Sequence, residues 1–336
     1  MLGAKQLAAL EPVPASEPWP RDLLEQIRAE RAGGDRFARA GQAVTRAEPG
    51  LELPEVARAA YRPPWTDLLY VPRLVPHRPR RGRKQAAPVG PLPGLATLLL
   101  APPAMHVLTA ELAPSCAYPW QTAGAVFSGN MPNFDNVRNR GTGVLVGPNL
   151  VLTASHLFPW DHGPEGWWMR FVPGYVEGLE PYGRSFVQEV LGYPAREDPN
   201  GLDYVICRLY TPLGQRVGWM GSQSFGDEDD YYDGRWISIG YPDVFHGGQQ
   251  AAAEFNIDID DIDNDDNGSC ELETNYTDAF GGGWSGGPLW GWIGNEPKVI
   301  GVKSGWEVDG YDPARGVFAA GTPMVDLVKH GWAHWQ

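Results

Sequence analysis

At 336 residues the chain is long enough for two domains or for one large domain with an extension, and 43% hydrophobic content with 14 Trp supplies a core that needs no disulfide staples. Its formal charge of −14 excludes nucleic acid and anionic membrane as principal partners, because both would be repelled at long range. The 42 Gly and 32 Pro mark many turns and short elements, so an all-β body is expected and long helices are not.

The first 114 residues differ from the rest. The opening "MLGAKQLAALEPVPASEPWP" holds no unbroken apolar stretch of the roughly 7–15 residues that an export signal needs. The longest apolar run, "PVGPLPGLATLLLAPPAMHVL", is cut by prolines and falls short of the roughly 20 residues that span a bilayer, so a soluble protein is expected. Leu23, Leu24 and Ile27 stand at helical spacing between Pro20 and Gly33, which predicts one short helix. Residues 71–95 then form a Pro-rich linker carrying Arg78, Arg80, Arg81, Arg83 and Lys84. Two readings of it stay open: a solvated spacer, or a processing site between a pro-segment and a mature domain.

From about Ser115 the pattern turns to short apolar runs separated by Gly, Pro and Asn: "AGAVFSG", "GTGVLVGPNLVLTAS", "WWMRFVPGY", "SFVQEVLGY", "LDYVICRLY", "RWISIGY" and "KVIGVKSGW". Runs of this length predict an antiparallel sandwich or a pair of barrels. At the end, Met324, Leu327 and Val328 suit a short terminal helix.

Three stretches carry chemistry. In "GGGWSGGPLW" a single hydroxyl, Ser285, sits among glycines whose missing Cβ atoms let backbone amides face a substrate carbonyl, and Pro288 fixes the chain as it leaves the turn. A serine needs a base to take its proton and donors to hold the oxyanion. The base candidate is His156, which ends a predicted hairpin, "GVLVGPNLVLTASHLF". Asp203 opens the apolar strand of "LDYVICRLY", where a carboxylate can be half-buried, whereas its rivals Asp161 and Asp198 lead into no strand.

In the order His, Asp, Ser, the motifs "LTASHLF", "DYVICRL" and "GGGWSGGPLW" resemble the active-site motifs of the chymotrypsin-like serine proteases. "YPWQTAGAVF" and "SIGYP" resemble the bacterial and fungal glutamyl-endopeptidase-like branch. The resemblance covers residues 115–336 and implies an all-β fold of two antiparallel six-stranded β-barrels with a short C-terminal helix, preceded by the Pro/Arg-rich extension 1–114. It implies a catalytic triad of His156, Asp203 and Ser285, an oxyanion hole from the Gly283 and Ser285 amides, polypeptide substrates, no required cofactor, a monomer, and a secreted or periplasmic location despite the lack of a visible signal. Trp284 stands where animal trypsins have an aspartate, so activation through a new N-terminal amine is excluded. Lys303 occupies the position of a pocket-facing histidine in the glutamyl branch, which implies preference for Glu or Asp before the cleaved bond. Phe280 would form a pocket wall, Asp278 could neutralise Lys303, and Ser304, Gly305 and Trp306 would bind substrate backbone by strand addition. The alternative function is a catalytically silent protease-like module that captures peptides.

"FNIDIDDIDNDDNGSCELE" leaves a further choice. Asp263, Asp265 and Asn267 match the start of a calcium loop, but Thr274 holds the twelfth position, and Phe255, Ile257 and Ile259 alternate with polar residues as in a half-buried strand. Calcium and a plain hairpin tip are both open. Among the three cysteines, Cys207 is expected to be an inert buried thiol, and a bridge between Cys116 and Cys270 is left open. No Cys or His spacing fits zinc.

Overall fold

A computed structural model describes residues 13–14, 59–64, 66, 111–113, 115–131, 133–194, 201–233, 236–274, 282–307 and 315–335. The helix expected around Leu23 and the basic linker lie outside the described residues, as do Phe280, Asp278 and Asp198.

Two short strands come from the N-terminal region, β1 (Val13–Pro14) and β2 (Glu111–Leu112). The first sheet then builds from β3 (Ala123–Asn130), β4 (Asn139–Leu145), β5 (Leu150–Thr153), β6 (Trp167–Pro173), β7 (Ser185–Gly192) and β8 (Val205–Leu209). Its order is β1-β7-β6-β3-β4-β5-β8, and β7 also pairs with β8, so β3 to β8 close into a six-stranded antiparallel barrel with β1 appended to β7. The predicted Gly-Pro-Asn turn joins β4 to β5, with the Val146 amide donating to the Leu150 carbonyl at 3.0 Å. Trp167, Trp168, Phe158, Phe171, Leu145 and Leu150, in or packed against this barrel, are fully buried. Each such side chain contributes about 1.5–3 kcal/mol, and closure removes the exposed sheet edges that pair wrongly.

The second sheet contains β9 (Gly221–Ser222), β10 (Trp236–Gly240), β11 (Ala252–Ile257), β12 (Ile259–Asn264), β13 (Ser269–Thr274), β14 (Pro288–Ile293), β15 (Glu296–Glu307) and β16 (Arg315–Gly321). It runs β12-β13-β16-β15-β14-β10-β11-β2, with β9 parallel to β15. This curled nine-stranded sheet differs from the six-stranded closed barrel expected. Among the described residues no ladder joins its ends, and β2 caps the β11 edge instead. A bulge lies behind the bend: the β10–β11 register shifts between Trp236 and Ser238, and Asn256 takes a left-handed φ of 57°.

Three helices complete the body: α1 (Leu213–Val217), α2 (Asp229–Tyr232) and the expected C-terminal α3 (Thr322–His334). Pro323 sits in the first turn of α3, where its missing N–H costs nothing, and Met324, Leu327 and Val328 are buried, as the spacing predicts. The helix packs mainly on β8 of the first barrel. The N-terminal region also docks there: the Tyr61 ring stacks on Trp219 at 4.4 Å, and the Trp219 Nε1 donates to the Ala59 carbonyl at 3.1 Å.

All three cysteines are free, so the bridge between Cys116 and Cys270 does not form. Cys207 is buried and its thiol is pushed up by burial, which keeps it protonated and unreactive. Among the described residues no helix is long and apolar enough to cross a membrane.

Candidate active site

The β5–β8 ladder sets the first pair of site residues side by side. Thr153 pairs with Val205, so the residues just beyond β5 and just before β8 meet at one end of the barrel. There a short 3₁₀ turn, Ser155–Leu157, presents His156, whose side chain is 36% exposed, while Asp203 is buried. His156 Nδ1 lies 2.7 Å from Asp203 Oδ2, and the His156 amide donates to Asp203 Oδ1 at 3.0 Å. A carboxylate only accepts, so Nδ1 carries the proton in this contact and Nε2 is left as the basic nitrogen. From the second sheet, Ser304 Oγ donates to Asp203 Oδ2 at 2.6 Å. Both carboxylate oxygens are therefore held, and the imidazole is held by them.

The Ser285 loop comes from the second sheet and is tied to the first. The Thr142 amide of β4 donates to the Ser285 carbonyl at 2.7 Å, and the Thr142 hydroxyl donates to the Gly283 carbonyl at 2.8 Å. In turn Thr153 Oγ1 donates to the Thr142 carbonyl at 2.6 Å. One strand and its neighbour thus hold the serine loop and lead into His156. Glycine is required at two places. Gly283 has φ 92° and a Cβ there would come within 2.3 Å of the Tyr241 carbonyl oxygen; Gly286 has φ 81° and its Cβ would come within 2.1 Å of the Thr142 carbonyl oxygen. Trp284 is buried and its Nε1 donates to Ser238 Oγ at 2.7 Å, which anchors the loop. Among the described residues, the Gly283 and Ser285 amides have no acceptor. Amides without an acceptor can donate to an oxyanion.

Beneath this loop is a small cavity with room for about one water, walled by Trp284, Lys303, Phe318, Ser238, Thr274 and Glu254. Lys303 is 6% exposed; its Nζ donates to the Gly305 carbonyl and lies 5.2 Å from the centre of the Phe318 ring. Lys303 is also a backbone partner of the serine loop, since its carbonyl accepts from the Gly286 amide at 2.8 Å and its amide donates to Gly287 at 2.8 Å. Beyond this point β14 stops pairing with β15 at the Pro288–Val302 position, so the edge at Ser304, Gly305 and Trp306 has no strand partner among the described residues on the side away from β16. Trp306 is 53% exposed there.

The acidic stretch forms the β12–β13 hairpin. Asp263 pairs with Glu271 within the strands, while Asp265 Oδ2 and Asn267 Oδ1 both accept from Ser269 Oγ, at 2.7 and 2.6 Å. Among the described residues no three His, Cys, Asp or Glu side chains cluster as a metal-binding group.

Four partners escape a reading of motifs: Thr142, Ser238, Ser304 in its contact with Asp203, and Glu254. Glu254 reverses an expectation. Alternation through Phe255, Ile257 and Ile259 would turn it outward, yet it is 1% exposed and Phe255 is only half-buried. The bulge at Asn256 shifts the alternation by one residue, so Glu254 and Ile257 face the same interior.

The sequence model of a family described as a trypsin-like peptidase domain matches residues 141–302. Among curated proteins, the extracellular metalloprotease of Bacillus subtilis (strain 168) is 36% identical over 87 residues, which is 24% of this chain and 26% of that protein. The match therefore spans about a quarter of that relative's length. Among solved structures, a Glu endopeptidase in complex with MPD shares the fold with a TM-score of 0.51 at 16% identity, over 67% of this chain and 97% of that one. The protease Anisep from Arthrobacter nicotinovorans aligns with a TM-score of 0.47 at 18% identity, over 68% and 99% of the two chains. Residues 141–302 are thus similar to a trypsin-like peptidase domain, and the fold is shared with a solved Glu endopeptidase.

Proposed function

We propose that this protein is a serine endopeptidase in which Ser285 is the nucleophile, His156 the general base and then general acid, and Asp203 the group that orients the imidazole. The observation that carries the reading is the doubly held Asp203–His156 pair, with Nδ1 at 2.7 Å from the carboxylate, beside a glycine-walled serine loop tied to the same strands. His156 Nε2 takes the Ser285 proton as Oγ attacks the scissile carbonyl; the C–O bond forms and the carbonyl electrons move to oxygen. The Gly283 and Ser285 amides stabilise that oxyanion. Collapse breaks the C–N bond, with the imidazolium returning its proton to the leaving amine, and water repeats the sequence to free the acyl group.

Substrate backbone would add to the unpartnered edge at Ser304, Gly305 and Trp306, and the buried cation of Lys303 supports a preference for Glu or Asp before the scissile bond. The extension 1–114 serves as a pro-segment or regulatory arm, and the family's usual extracellular setting is the location this reading takes. A fluorophosphonate probe tests the nucleophile. It should label the wild type and not Ser285→Ala, and peptide cleavage should disappear with labelling. Equal labelling of both proteins would overturn the assignment and return the domain to a peptide-capturing role.

A further inference from the structure

Trp219 lies in residues 210–220, through which the chain passes from β8 of the first sheet to β9 of the second. Residues 59–64 and 66 of the N-terminal extension pack on this connection. The Tyr61 amide donates to the Trp219 carbonyl at 3.0 Å, and the Trp219 amide donates back to the Tyr61 carbonyl at 3.1 Å, which makes one antiparallel bridge. The Trp219 indole Nε1 donates to the Ala59 carbonyl at 3.1 Å, and the Tyr61 ring stacks on the indole. Both N–H donors of a tryptophan that is only 8% exposed are therefore met by the extension. Withdrawing the segment would strip a buried aromatic of both acceptors and of its stacking ring.

The connection is shaped to receive the segment. Gly218 leaves the space, since a Cβ there would come within 2.4 Å of the Tyr61 carbonyl oxygen and 2.9 Å of Pro63 Cδ. Pro63 and Thr66 are buried in turn. The Thr66 amide donates to the Pro63 carbonyl at 3.0 Å and Arg62 Nε to the Thr66 carbonyl at 3.1 Å, so the segment arrives as a closed turn. Its dock is remote from the proton relay. The Met220 amide donates to the Leu145 carbonyl at 3.0 Å, beside the β4–β5 turn, whereas His156 follows the opposite end of β5. From this position the segment cannot act by filling the cleft.

We propose that the surface around Trp219 is the docking site of the extension's own residues 59–66, which clamp the connection between the two sheets, so that cutting the chain in the basic stretch Arg78–Lys84 loosens this connection instead of releasing a finished domain. The partner is a segment of the same chain, an aromatic residue followed by Arg and Pro-Pro, and it adds to Trp219 as a rung of β-strand. While the chain is intact the segment acts at a high effective concentration; a cut makes its docking depend on the concentration of the protein. The joint it holds lies between the sheet that carries His156 and Asp203 and the sheet that contributes the Ser285 loop. This chooses the regulatory arm over the shed pro-segment for the extension, and it does not depend on which residue is the nucleophile.

Amide hydrogen exchange of the full chain, read by mass spectrometry on the fragment holding residues 211–221, tests the clamp in Ser285→Ala protein, where any self-cleavage through Ser285 is abolished. Tyr61→Ala and Pro63→Asp, both on the extension, should speed exchange in that fragment about tenfold or more, while β3 to β8 stay as protected as before. Pro64→Ser, at an exposed position of the same segment, should have no effect. Unchanged exchange in Tyr61→Ala and Pro63→Asp would overturn the clamp, and so would a rise spread evenly over the first barrel. A recognition sequence for a site-specific protease, inserted between Arg81 and Gly82, supplies the cut. After it, exchange in residues 211–221 should rise as the protein is diluted from about 100 μM to about 1 μM, and an excess of a synthetic peptide of residues 55–70 should slow it again. The same peptide carrying Tyr61→Ala should not. Exchange that is indifferent to the cut, or that ignores the unaltered peptide, would overturn the proposal. None of these readouts uses catalysis, so their failure leaves the peptidase reading standing, and failure of fluorophosphonate labelling leaves the clamp standing.

Discussion

The two sheets close differently around one site. The first barrel closes on itself; at its end it presents a histidine and an aspartate whose geometry is set by the β5–β8 ladder. The second sheet stays open at nine strands, places a lysine and a glutamate against one interior cavity, and contributes the serine loop. Closure holds the His156–Asp203 pair rigidly, and the bulged sheet leaves room for a cavity lined by Lys303 and Glu254. Hydrogen bonds that cross from one to the other include Thr142 to the serine loop, the Tyr241 amide to the Thr142 hydroxyl, Arg140 to the Gly247 carbonyl, and Ser304 to Asp203.

The largest effect should come from breaking the pair held by the closed barrel. Asp203→Asn removes the charge and changes which imidazole nitrogen is protonated, so kcat should fall by about 10⁴, the size of loss this change causes in a Ser-His-Asp triad, with melting temperature little altered. Cutting the link that the second sheet supplies is milder. Ser304→Ala deletes one of the three hydrogen bonds to Asp203 and should lower kcat roughly tenfold with KM unchanged, whereas a fall as deep as that of Asp203→Asn would mean that the second sheet, and not the first, positions the carboxylate. Both are read from steady-state kinetics on one peptide.

A smaller effect concerns stability and the helix that covers the first barrel. His330 is buried on α3 with neither ring nitrogen hydrogen-bonded among the described residues, and burial, with the neighbouring His334, pushes it down to about 4. The unfolded ring therefore binds a proton first. Stability is full above about pH 6.5 and falls as pH drops towards 4, by up to about 3 kcal/mol. In His330→Leu the decline of melting temperature over that range should flatten; an unchanged slope would assign the decline to other groups. The smallest effect belongs to the acidic hairpin of the second sheet. Calcium should move the melting temperature by no more than about 1 °C, since Asp265 and Asn267 already accept from Ser269. A shift of several degrees that Asp265→Ala removes would show a cation site at the tip.

Much of the site was legible because each of its parts is local. A hairpin that ends in His156, an apolar strand opened by Asp203 and a glycine run around Ser285 are patterns of neighbouring residues, and their order in the chain limits the fold that can unite them. The C-terminal helix was legible for the same reason, from the spacing of Met324, Leu327 and Val328. Glu254 was not, because one left-handed residue, Asn256, reverses the faces of β11 and no alternation rule registers a bulge. Ser304 looked like a substrate-binding strand residue because its sequence neighbours are; its contact with Asp203 joins positions about a hundred residues apart.

By itself the sequence determined the all-β class, the order of the three chemical groups and the need for glycine beside the serine, since each follows from backbone sterics or short-range periodicity. Tertiary structure alone decided that the first barrel closes while the second sheet stays open, that the cysteines remain free, and that a buried glutamate and a buried lysine line one cavity. Those outcomes depend on strand register and on which distant walls share a cavity, and long-range packing sets both.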